Sequence, residues 1–437
     1  MTRHTFNHSI DRLLNMFHTA RNFIVVHQEK PYMAPVHGIR PNAAQFTLQL
    51  LQVFLVGSLV GMTRTVLPEL AESDFGLTAG SFLALATFVV VFGLVKALLN
   101  LFAGSLSDRW GRRRVLIAGW VSALPIPLLI LYGPSWGWII LATVFLGINQ
   151  GLSWSMALNS KLDLAHARQR GLVNGFNEFA GYGGVAIAGM LSAVAVHALG
   201  ARTGLFIFTL AIIVLALLIV LAAVRETRPW AMLHQGNPTI EPIGMRALFA
   251  YASWKNRSLQ ALNQAGLVEK FTDAMVWLFF PVFFMAKGLS LVASGSLIAI
   301  YGVVWGAGQL ITGPLSDRIG RTIMIVGGMW LCGLGVVAVS LSHSIGLWGL
   351  ELALIGIGMA MLYPTLGAAV ADQAEPAQRA SILGIYRFWR DLGYAVGGVL
   401  LGLTAQWSGG IVLPFWLVGL SMAASGLWVA VVVNKNQ

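Results

Sequence analysis

Glu269 and Asp273 stand four residues apart in LNQAGLVEKFTDAMVWLFF, a largely apolar stretch. Four residues is about one helical turn, so the two carboxylates share a helix face. At roughly 1.5 Å per residue they lie about 15–21 Å past Leu259, which is the middle of a membrane-crossing helix. Carboxylates at that depth suit a proton carrier that loads on one side of a bilayer and unloads on the other. Lys270 is adjacent to Glu269 and points about 100° away on a helix, which makes it a poor neutraliser of either. Glu178, in FNEFAGYGG, is the reserve proton site. The competing reading is a structural charge cluster that faces another helix.

A second group of charges lies in YRFWRDLGYAV. Arg387 and Asp391 have the spacing of an ion pair along one helix, and Arg390 adjoins Asp391. Lys96, alone in VFGLVKALLN, lies at the same depth as Asp391, and the two are expected to pair if their helices are neighbours. Arg64, Arg387 and Arg390 would be counter-ions if the solute taken up is an anionic metabolite. Weaker cavity candidates are Gln45, Gln49 and Gln52, which share one face, and Asn149, Gln150 and Ser153; side chains of this kind also bond helix to helix. Trp277 and Trp305 are deep enough to stack on a solute or to pack.

Such charges need elements that carry them into a membrane. Of 437 residues, 57% are hydrophobic and 10% charged, and the mean hydropathy is +0.75, far from a soluble composition. Apolar runs near 44–66, 79–103, 115–133, 138–160, 172–196, 204–224, 259–284, 290–312, 323–341, 347–371, 381–405 and 411–433 predict twelve transmembrane helices, an all-α integral membrane protein. They fall into six-helix bundles over 44–224 and 258–433, joined by a Pro-, Gly- and charge-rich cytoplasmic linker over 225–257 in which GMRALFAYASW forms a surface helix. Cytoplasmic tails are expected at 1–43 and 434–437. Most of the 28 Lys and Arg fall in the tails and the even-to-odd loops, so both termini are expected in the cytoplasm.

The bundles repeat. GSLSDRWGRRRVLIAG returns as GPLSDRIGRTIMIVGG, so that Gly104, Asp108, Arg109, Gly111 and Arg112 recur as Gly313, Asp317, Arg318, Gly320 and Arg321, 209 residues on. The same offset carries Asp163, Arg170, Gly175 and Gly184 onto Asp372, Arg379, Gly384 and Gly393, and Glu178 onto Arg387. A parallel repeat of this kind places a site between the halves near the midplane. Gly104 and Gly111 permit a tight turn, and Asp108 reaches Arg112 if the turn is helical.

This G-x-L-x-D-R-x-G-R-[RK] loop, its echo after the eighth helix, the segments KLDLAHARQRG and VADQAEPAQRA, and VRET after the sixth resemble the major facilitator superfamily from about residue 44 to the end. The resemblance implies a secondary transporter of small molecules or ions that rocks one half against the other, often on the proton gradient. It also implies that Asp108 latches against the start of the eleventh helix near Ala380 and Ser381, and Asp317 against the fifth near Gly171. Two marks of the drug-efflux branch are missing. Gly147 stands where that branch has arginine, and no proline falls within span five.

The expectation is therefore a proton-coupled exporter, monomeric, in a bacterial inner membrane. Uptake of an anionic metabolite, movement of a metal or metal chelate, and a non-transporting sensor are the alternatives. No cofactor, metal or nucleic acid is expected. Cys332 is the single cysteine, no phosphate-cradling G-x-x-x-x-G-K-[ST] loop occurs, and His197 and His343 are isolated. These absences also argue against an enzyme. The N-tail has no secretory core, its longest apolar run being FIVV; Ile10, Leu13, Leu14 and Phe17 share one face of a surface helix, and Met33 is an alternative start.

Overall fold

A backbone inside lipid has only itself to bond with, and the chain meets that demand as helix throughout its described residues. The computed structural model describes residues 36–77, 81–166, 169–234, 244–375 and 378–433. The expected N-tail helix, residues 235–243 of the linker and the C-tail lie outside them, as does the side chain of Asp108.

Span one is Ala43–Ser73 and span two Phe82–Trp110. Span three is broken into Arg112–Val121 and Pro125–Tyr132. Span four, Trp136–Leu164, contains a π-type turn at Gln150–Trp154. Spans five and six are Arg170–Leu199 and Ala201–Ala222. Span seven, Arg257–Leu278, runs on as Phe280–Ala286; spans eight to twelve are Leu291–Ile319, Arg321–Leu341, Ile345–Asp372, Arg379–Ser408 and Val412–Val433. Ten of these are long and apolar enough to cross a membrane; the other two, seven and eleven, are the ones that carry the charge clusters. The expected surface helix is Met245–Ala250, continued by a second π-type turn, Tyr251–Lys255.

The charged repeat differs from its expected form. Spans two and eight stay helical through Gly104 and Gly313 to Trp110 and Ile319, so those glycines are not in a turn. The reversal falls on Gly111 and Gly320 alone, whose φ of 90° and 100° lie where a side chain would be strained.

Two interfaces join the halves: span two against eleven, and span five against eight. A Cβ on Gly402 would come within 2.9 Å of Ala86, one on Gly398 within 2.9 Å of Val90, and one on Gly93 would collide with Tyr394. On the other interface, Gly295 faces Ala193 at 3.6 Å and Gly302 faces Ala186 at 3.0 Å. These close approaches all lie toward the end opposite the charged loops. Rings plug that end as well: Phe92 and Phe88 lie 4.8 and 5.6 Å from Trp277, and Phe82 lies 5.8 Å from Phe279. Followed turn by turn, the register of spans two and eleven brings Gly104 opposite Gly384, and there a Cβ on either would meet nothing within 4 Å. The close glycine packing of the two spans has ended at this level. The chain is thus closed at one end and open between spans two and eleven toward the charged loops.

Candidate functional site

The centre of the closed layer is an ion pair between the halves. Arg64, from span one, grips Asp273, from span seven, with both arms: Nη1 donates to Oδ1 at 2.5 Å and Nη2 to Oδ2 at 2.8 Å. Tyr394 of span eleven donates its hydroxyl proton to Asp273 Oδ2, and Tyr301 of span eight donates to Oδ1 at 3.3 Å. The guanidinium also lies over the Trp277 ring, 5.1 Å from its centroid. All of these side chains are buried. A forked, fully bonded pair of this kind is the form in which a buried charge is tolerated.

Lys270 stands beside it. Its Nζ is 3.1 Å from Glu269 Oε1 and 3.8 Å from Asp273 Oδ2, so it lies between the two carboxylates rather than pointing away from them. Its four-carbon stem swings the ammonium through the angle that separates the backbone positions. The ammonium is ringed by Tyr363, Trp305 and Tyr394, 4.6 to 5.4 Å from their centroids. Neither oxygen of Glu269 has a hydrogen-bond partner of good geometry, although the side chain is completely buried. Among the described residues, Lys270 is the one cation within ion-pair distance of Glu269.

The second cluster lies one step toward the open end. Asp391 accepts from Arg390 Nε at 2.8 Å and Nη2 at 3.1 Å, and from Asn100 of span two. Lys96 Nζ is 3.9 Å from Asp391 Oδ2, across the interface between the halves. The expected Arg387–Asp391 pair is not formed; Arg390 folds back onto its neighbour and fills both oxygens. Arg387 is half-buried and has no ion-pair partner among the described residues. Glu178 accepts from Asn177 at 2.7 Å and from Trp154 Nε1 at 3.4 Å, leaving its other oxygen unbonded. The π-type turn of span four carries Trp154, as such turns often carry functional side chains.

The charged loops make a third, peripheral set. Arg112 pairs with Asp163 at 3.2 Å and Arg321 with Asp372 at 3.1 Å, the same contact in each repeat. Arg321 also holds Asp317 at 2.5 Å, and that aspartate is 61% exposed, so its ion pair lies within its own loop rather than on span five. Glu226, in the VRET segment, accepts from the backbone N–H groups of Arg112 and Arg113 at 2.9 and 3.1 Å.

Several cavity candidates prove to be staples. Gln52 bonds Ala216 and Trp120, Gln45 bonds Ala223, Asn149 bonds Gly119 and Gln150 bonds Val56, all inside the first half. The backbone carbonyl of Gln49 receives the buried Lys161 ammonium at 3.0 Å. Arg64 is spent on Asp273, and Trp277 and Trp305 are fully buried in the closed layer rather than on a cavity wall. Sequence reasoning missed Tyr394, Tyr301, Tyr363, Asn100 and Lys161. Tyr394 and Asn100 carried a signal, each lying one helical turn from an in-span charge.

The chain matches a family model described as Major Facilitator Superfamily over residues 50–262 and again over 262–436. It is 24% identical over 347 residues to an uncharacterized MFS-type transporter of Salmonella typhimurium, covering 76% of this chain and 81% of the relative. It is 24% identical over 404 residues to the uncharacterized MFS-type transporter YhhS of Escherichia coli O157:H7, covering 87% and 91%. Among solved structures, the human organic anion transporter MFSD10 superposes with a TM-score of 0.68 at 17% identity, over 89% of this chain and 99% of that one, a likeness of fold.

Proposed function

The chain belongs to the Major Facilitator Superfamily, a family of membrane transporters, and from that premise we propose that it exports a small solute in exchange for protons by alternating access. The observation that carries the proposal is the Arg64–Asp273 pair, which ties the halves together while a second cation, Lys270, waits 3.8 Å from the same carboxylate. Opening the closed end pulls Arg64 away from span seven. Stripping a buried carboxylate of its partner costs about 3–5 kcal/mol, more than the roughly 2.3 kcal/mol that one proton gains in crossing 100 mV. Lys270 removes most of that cost by moving onto Asp273. Glu269 then loses its salt-bridge partner, and a proton arriving from the opened side neutralises it. When the halves close again Arg64 recovers Asp273, Lys270 returns to Glu269, and the proton leaves toward the charged loops.

In this reading the charged loops and both termini face the cytoplasm, and the bacterial relatives favour an inner membrane. The loops serve the opposite closure. The register that brings Gly104 to Gly384 continues to Asp108 beside Ala380, and its repeat brings Asp317 to Gly171. A carboxylate at the start of a helix is stabilised by the free N–H groups there.

The test is an untargeted comparison of solutes accumulated by inside-out vesicles from cells overproducing the chain or its Asp273→Asn variant, with and without a proton uncoupler. The expected result is a solute whose accumulation needs both the intact chain and the gradient. Accumulation that ignores the uncoupler would contradict coupling, and no chain-dependent solute would contradict export.

A further inference from the structure

We propose that the open cavity binds a small organic anion, an aromatic carboxylate, with Arg387 as its principal anchor; this rests on the transport reading for its purpose but not for its chemistry. Gly384, Arg387 and Asp391 share one face of span eleven. Asp391 marks the last level at which that face touches span two, through Asn100 and Lys96. Gly384 marks the level at which their close packing has ended. Arg387 lies between these levels, where the packing of the two spans loosens, and the proposal places its guanidinium toward the space between the halves.

The charges there do not balance. Lys96, Arg390 and Arg387 are three cations. Asp391 serves the first two, and no carboxylate pairs with the third. Glu178, the repeat counterpart of Arg387, is the other carboxylate of this region, and one of its oxygens is engaged by Asn177 and Trp154. The deeper charges, Arg64 with Asp273 and Lys270 with Glu269, cancel among themselves. An excess cation inside a membrane protein is costly, and an anionic ligand is the group that relieves it. The planar fork of arginine matches a carboxylate. The neighbouring cations lie against aromatic rings. Tyr363 lies with its ring 4.7 Å from the Arg390 guanidinium, and the half-buried Trp154 lies 5.8 Å from Lys96. Tyr363 is already covered by Arg390 and Lys270, so a planar ring attached to the carboxylate would stack on the partly exposed Trp154.

The experiment titrates purified protein in lipid nanodiscs with benzoate, phenylacetate and indole-3-acetate, and with benzylamine as the cationic control. Ligand that binds only the folded state raises the unfolding temperature by an amount that grows with the logarithm of its concentration over its Kd. The expected result is saturable stabilisation by at least one of the carboxylates and none by benzylamine. Arg387→Gln should weaken it about tenfold or more, the loss of a charge-assisted hydrogen bond, and Arg387→Lys, which keeps the charge, should restore part of it. No stabilisation by any of the carboxylates, equal stabilisation by benzylamine, or affinity unchanged in Arg387→Gln would overturn the proposal. Binding needs no proton gradient, so an anion that binds but is never transported refutes export alone, while proton-driven export of a solute that carries no negative charge refutes the anion site alone.

Discussion

A buried carboxylate with two cations in reach behaves differently from one with a single partner, and Asp273 shows how. Asp273→Asn strands Arg64 without an anion and leaves Lys270 with Glu269 as its carboxylate, and should cost about 3–5 kcal/mol of stability. Adding Arg64→Gln removes the stranded charge, so the double variant should be more stable than Asp273→Asn alone. Unfolding midpoints of the four members of the cycle measure this; additive losses would mean that the two side chains are not energetically coupled. The in-span charges themselves were legible in the sequence because each interrupts an apolar run. Their partners were not. Arg64 and Asp273 are 209 residues apart, Lys270 uses a flexible stem whose direction no periodicity fixes, and Tyr394 and Tyr363 are aromatic residues in a chain rich in them.

Helices two and eleven approach closely only where one of them lacks a side chain, and this sets their stability apart from their freedom to move. Gly402→Leu and Gly398→Leu force a side chain into Ala86 and Val90, and each should destabilise the described state by about 1–3 kcal/mol. A Cβ on Gly104 would meet nothing within 4 Å, so Gly104→Leu should leave the unfolding midpoint unchanged and yet block closure at the charged loops, abolishing export. Equal effects on the midpoint from Gly104→Leu and Gly402→Leu would contradict the loosened packing of these helices at Gly104. The repeated elements were plain in the sequence, since the charged motif recurs at one offset. The position of the turn was not. Gly104 and Gly111 are equally permissive residues, and the span's apolar packing decides which of them stays helical.

At the scale of the molecule, the repeat makes the two ends alternatives to each other. Staples such as Gln52 to Ala216 lie within one half, so the first half is braced internally, while the interfaces between halves rest on glycine contacts and a few exchangeable charges. The twelve-helix architecture followed from hydropathy; the conformation it adopts did not, because both ends draw on the same repeated residues. The central claim is that protonation of Glu269 reverses which end is closed. Pulsed electron resonance on paired nitroxide labels tests it without a known solute. One pair replaces the exposed residues Arg114 and Ile323 near the charged loops, the other Trp138 and Leu347 at the opposite end, in a Cys332→Ala background. Acidification should shorten the first distance and lengthen the second, and Glu269→Gln should hold the acidic distribution at every pH. Distances that do not respond to pH, or a Glu269→Gln variant that responds as the parent does, would contradict the account.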